Sequence, residues 1–170
     1  MAAAQTYEPL ATTTLSSSAA TIDFTSISGN YTDLILVISG VSSSGNNIFT
    51  RFNSNTGANY SATRLSGSGS VVLSDREINS TYMVNSNYGW PTTTVGQQNT
   101  ILQIMNYSNS TTFKTVLMRS NRGNAGVDAI VGLWKQTSAI TSISLSTNGF
   151  SGASGWSSGT TATLYGIKAA

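Results

Sequence analysis

YTDLILVISG, residues 31–40, decides the fold. Its apolar run, Leu34 to Ile38, is far shorter than the roughly 20 residues of a membrane span. It shows no helical spacing of apolar positions. β-Branched side chains fill much of it, and Ser39 and Gly40 close it. Such a run reads as a strand covered on both faces, which requires layers on either side of it.

The same reading extends outward. TIDF (21–24) places Ile22 and Phe24 on one face and Thr21 and Asp23 on the other. NIFTRFN (47–53) alternates in the same way, with Ile48, Thr50 and Phe52 on one side. SVVLS (70–74) is short, and REINSTYMV (76–84) alternates less cleanly. NTILQIMNYS (99–108), TTFKTVLMRS (111–120) and AIVGLWKQ (129–136) follow as three strong strands, with Trp134 as a core residue. ITSISLSTN (140–148) sets Thr141, Ile143 and Leu145 against Ser142, Ser144 and Ser146. In the closing TATLYGIKAA, Thr161, Thr163, Tyr165 and Ile167 oppose Ala162, Leu164 and Gly166. Loops rich in Gly, Ser and Asn separate these runs, so a strand recurs about every 10 to 15 residues. No helical crossover is available for parallel pairs, so the order is antiparallel. The expectation is an all-β chain of about nine or ten strands, folded as an antiparallel two-sheet sandwich of jelly-roll type. An up-and-down barrel is the alternative. Residues 21–170 form the single sandwich domain, and residues 1–20 an N-terminal edge strand or an arm reaching a neighbouring subunit.

Composition narrows function by exclusion. The chain has 170 residues with no Cys and no His. That removes the usual zinc, copper, haem and iron–sulfur ligand sets, and with them Ser–His and Cys–His nucleophiles. Charged residues make up 8% of the chain, against about 25% in ordinary domains. Ser, Thr and Asn take their place. Net charge is +2, and the basic residues are not clustered as phosphate contacts require, which argues against nucleic-acid binding. The start, MAAAQTYEPLATTT, lacks the basic and apolar regions of a Sec signal, and no membrane association is expected. Weakly charged surfaces repel their copies weakly, which suits a domain that works docked against neighbours.

Few residues invite a chemical reading. Asp75 and Glu77 in SDREI share one face of an extended segment, as a glycosidase carboxylate pair would; a solvated strand end beside Arg76 explains them better. Asp33 and Asp128 stand near strand starts, where an acid more often caps a turn than binds calcium. Tyr88 and Trp90 in NSNYGWPTTT, and Trp156 in SGASGWSSG, lie in loops rather than apolar runs. They serve either as partner or glycan contacts or as covers for the open end of the sandwich. No catalytic, metal-binding or cofactor-binding residue is expected.

Five blocks then carry a resemblance: YTDLILV, RFNSNTGANYS, NYSNSTTFKTVLMRSN, VGLWKQTSAITSISLS and TATLYGIKAA, in that order. Together they resemble a group of small β-rich structural proteins of tailed-phage virions, common among phages of cyanobacteria. The resemblance implies a non-enzymatic virion structural protein at the particle surface, made in the host cytoplasm. A decoration or cement protein on the head is the first expectation; a tail, neck or fibre component with receptor or glycan contact is the alternative. Its implied partners are further copies of itself, a trimer fitting threefold capsid positions, and other virion proteins such as the major capsid protein.

Overall fold

The computed structural model describes residues 6–42, 47–84, 98–122 and 126–168. Among them every regular element is a strand: β1 (Tyr7–Thr14), β2 (Thr21–Phe24), β3 (Asp33–Gly40), β4 (Phe49–Phe52), β5 (Tyr60–Gly67), β6 (Val72–Ser80), β7 (Met83–Val84), β8 (Gln98–Met105), β9 (Lys114–Arg122), β10 (Gly126–Trp134), β11 (Ile143–Ser146) and β12 (Thr161–Ile167). They form an 8-stranded sheet, β1-β12-β3-β8-β9-β10-β5-β6, and a 4-stranded sheet, β2-β11-β4-β7. Every pairing is antiparallel. The chain is therefore an all-β, two-sheet antiparallel sandwich.

The sheets differ in width by two pairs of strands, β5–β6 and β9–β10. Without β5–β6 and β9–β10, each sheet keeps four strands, β1-β12-β3-β8 facing β2-β11-β4-β7. Successive strands of this reduced set cross from one sheet to the other, except β4 and β7, which pair side by side. β9 and β10 continue the large sheet beyond β8, and β5 and β6 continue it beyond β10.

Strand alternation builds the core. β3 turns Leu34, Leu36 and Ile38 inward, fully buried, and β12 adds Ala162 and Leu164. Ile22, Phe24, Phe52, Ile143 and Leu145 answer from the small sheet. Under β5 and β10, Trp134 stacks on Tyr60 at 6.4 Å between ring centroids and meets Phe52 at 5.5 Å. The Tyr60 hydroxyl accepts from the Phe52 amide at 3.0 Å, which ties this aromatic cluster to β4. Asn53, with φ of 51°, takes the left-handed backbone that Asn tolerates. Its Oδ1 accepts from the amides of Thr141 and Ser142, and its Nδ2 donates to Ala139.

Both outer edges of the large sheet are blunted. β1 carries Pro9, which cannot donate to a further strand, with a bulge beside it. β6 carries Asp75, Arg76 and Glu77 in mid-strand. Asp75 does not pair with its neighbour Arg76. Arg64 on β5 grips it with two hydrogen bonds of 2.7 and 2.6 Å, and these hold its carboxyl below the ordinary carboxylate value against a smaller opposing effect of burial. A depressed carboxyl contributes stability above its unfolded value of about 3.9, and loses it as pH falls through the folded value. Because the Asp75 side chain is 48% exposed, solvent screening keeps the gain below about 1 kcal/mol. Asp75→Asn is thus expected to lower urea-unfolding stability slightly at neutral pH, with the difference from the parent vanishing below the ordinary carboxylate range.

Candidate interaction surface

The inner faces of both sheets are occupied by the core. The outer face of the large sheet is not covered by any described part of the chain, and its composition is unlike that of a solvated sheet. Register assigns the side chains. Ala129 of β10 stands opposite Arg119 of β9 on one side and Leu65 of β5 on the other. Val131 stands between Leu117 and Thr63, and Val127 between Asn121 and Gly67. On the β3 side the same rows continue through Ile101 to Val37 and through Gln103 to Ile35.

β10 makes the pattern plain. A strand with one wet face turns polar residues outward. Here the outward residues are Val127, Ala129, Val131 and Leu133, while Asp128 points inward and is buried. Exposure is high where it costs most: Leu65 57%, Val127 58%, Val131 52% and Leu117 41%. Ala129, the smallest of the set, leaves a hollow among larger neighbours. The result is a trough of about 480 Å³ running over β3, β8, β9, β10 and β5. Apolar patches of this continuity on a soluble domain mark contact sites.

Polar groups at the trough are few. Thr63, Gln103 and Arg119 line it. Arg119 is exposed, and no hydrogen bond or ion pair to it is found among the described residues. Arg76 lies on the same face of β6, opposite Thr63. Asp75 and Glu77 lie on the other face, opposite Arg64 and Ala62. What the trough presents is therefore an apolar floor with a positive rim, suited to gripping apolar side chains and offering no acid–base pair.

The inward side of these strands carries a polar row. Thr100, Ser120, Asp128 and Ser66 follow one another across β8, β9, β10 and β5. All four are buried, and Ser66 Oγ donates to Asp128 Oδ1 at 2.5 Å. Asp33, at the opposite end of the strands, accepts from the Asn106 amide at 2.7 Å, which is a turn cap. No group of three acidic residues gathers as a metal site among the described residues. Lys114 is fully buried; its ammonium donates to the carbonyls of Thr112 and Thr137 at 2.7 and 2.9 Å, and burial pushes it below the usual lysine value.

The aromatic residues singled out in the loops divide. Tyr88 and Trp90 lie outside the described residues. Trp156 has no surface to offer: it is fully buried, bridges backbone to backbone with Ala19 and Ser42, and donates its indole N–H to the Leu145 carbonyl at 3.3 Å. Of its two readings, the cover over the open sandwich end is the one the structure places. The partner-contact reading is corrected, because the residue is packed into the core with no exposed surface. The trough residues were missed as a site because each looks like an ordinary strand residue until pairing sets Ala129, Leu65, Val131 and Leu117 side by side.

No protein-family model matches the chain, and no curated protein matches it. Among solved structures it is similar to the alginate lyase Aly36B in complex with an alginate tetrasaccharide, at 11% identity and a TM-score of 0.33, covering 94% of this chain and 80% of that one. A second structure of the same lyase, with an alginate trisaccharide, gives 9% identity and a TM-score of 0.27, covering 92% of this chain and 80% of the other.

Proposed function

We propose that this chain is a non-enzymatic structural protein of a tailed-phage particle, a decoration protein that cements the head. The observation that carries the reading is the apolar outer face of the large sheet, which the described chain builds on β10, β9 and β5 and leaves uncovered. A domain that works free in solution pays for such a face in aggregation; one that lives docked uses it. The low charge of the chain supports the same reading, since weak self-repulsion is tolerable only where neighbours are wanted. The ordered blocks of resemblance to virion proteins support placing it on the particle. We read the connectivity as a jelly roll with two inserted pairs of strands, β5–β6 and β9–β10. On that reading the insertions are what widen the large sheet into a docking face. Many copies, each bound modestly, add up to a firm hold on a shell.

The test is thermal. Particles with and without this protein are heated, and DNA release is followed. Release at a lower temperature without the protein is expected; equal release in both would count against cementing.

A further inference from the structure

We infer that the trough on the outer face of the large sheet docks an acidic, apolar segment of a different protein, with Arg119 pairing a carboxylate at its rim. This rests on the particle reading and names the kind of partner it requires.

The apolar part of the argument comes from pattern. β3 is apolar on both faces, yet the described residues bury Leu34, Leu36 and Ile38 fully and leave Ile35, which faces the trough, and Val37 only half-buried. β10 keeps its acid inside and its valines outside. Both strands have the composition of sheets covered on two sides, so the missing cover is apolar.

Charge decides whose cover it is. The outward positions of β9, β10, β5 and β6 include Arg119 and Arg76 and no acid. A second copy meeting this face by a twofold axis would present the same patch to itself. Arginine would face arginine in a drying interface, where like charges oppose association. A segment carrying Asp or Glu removes that conflict and gives Arg119 the forked partner its guanidinium suits. Among the described residues that line the trough there is no aromatic ring, so these residues offer no stacking platform for a sugar.

The absence of cysteine permits a direct test. Gln103→Cys, at the trough wall, is labelled with a short maleimide–diazirine and bound to particles stripped of the native protein. After illumination, the adduct is mapped by mass spectrometry. The expected adduct lies on another virion protein, within a few residues of an Asp or Glu. In parallel, Arg119→Glu is expected to bind stripped particles about tenfold or more weakly, with Arg119→Lys in between, because an ammonium keeps the charge and loses the fork. Circular dichroism of both variants checks that they are folded. An adduct on a second copy of this chain, an adduct on polysaccharide, or undiminished binding of Arg119→Glu overturns the inference and leaves the particle reading intact. Failure of the parent protein to bind stripped particles removes the particle reading, and the inference falls with it.

Discussion

Trp156→Ala is expected to lower the unfolding free energy by about 3–5 kcal/mol, the range for deleting a large buried aromatic. The cost has two sources. The indole fills the end of the core where the loops after β1, β3 and β11 meet, with none of its surface left to water. Its N–H also donates to the Leu145 carbonyl, a hydrogen bond that alanine removes. A domain of this size loses about 2–4 °C of melting temperature per kcal/mol, so a fall on the order of 10 °C should be seen by far-ultraviolet circular dichroism. Trp156→Phe keeps most of the volume and loses the hydrogen bond, and should fall between. A change under about 1 kcal/mol for the alanine variant would place the ring outside the core.

The paired substitution Leu65→Asp with Val131→Asp is expected to do the reverse: little harm to the fold and a large loss of docking. Both side chains are more than half exposed, so folding gains little from them. Asp is a poor strand residue, which sets the stability loss at about 1 kcal/mol for each substitution. Docking depends on them far more, because buried apolar anchors dominate such contacts. Two carboxylates in the trough would have to be desolvated, and the one at position 65 would stand one strand away from Arg119's neighbour Ala129, offering the guanidinium an internal partner. Affinity for stripped particles should drop by at least about 100-fold. The matching measurement is a binding titration beside a urea melt. Loss of both binding and fold would show only that the strands need these residues; unchanged binding would remove the trough from the docking face.

How much of this was legible in the sequence depends on the residue. Period-two alternation separated the two faces of β2, β4 and β12, because each has one face against the core. It failed for β6. SVVLS and REINSTYMV read as separate runs, whereas Val72–Ser80 is one nine-residue strand. An edge strand that is exposed along most of its length has no reason to alternate, and Asn79 (φ 56°) adds a bulge near its end. For the same reason Asp75 and Glu77 lie in mid-strand and not at a strand end. The burial of Trp156 was not legible either, since a Gly/Ser-rich loop has the same composition whether it hangs free or folds over a core. β3 reads in the sequence as covered on both faces; the described residues bury one face fully and leave Ile35 and Val37 on the other half-buried. The outer rows are apolar in the sequence from the start. Only the register of β9, β10 and β5 turns them into one surface.

The claim on which the account rests is that the outer face of the large sheet is buried in the assembled particle, and thiol labelling tests it most directly. Single variants Val131→Cys and Leu65→Cys are compared with Ser151→Cys, an exposed loop position on the opposite reach of the chain from the trough strands. Each is labelled with maleimide, free and bound to particles. The expected result is that positions 131 and 65 label quickly when free and at least about 100-fold more slowly when bound, while position 151 keeps its rate. Equal rates at positions 131 and 65 in the free and bound protein would contradict the account.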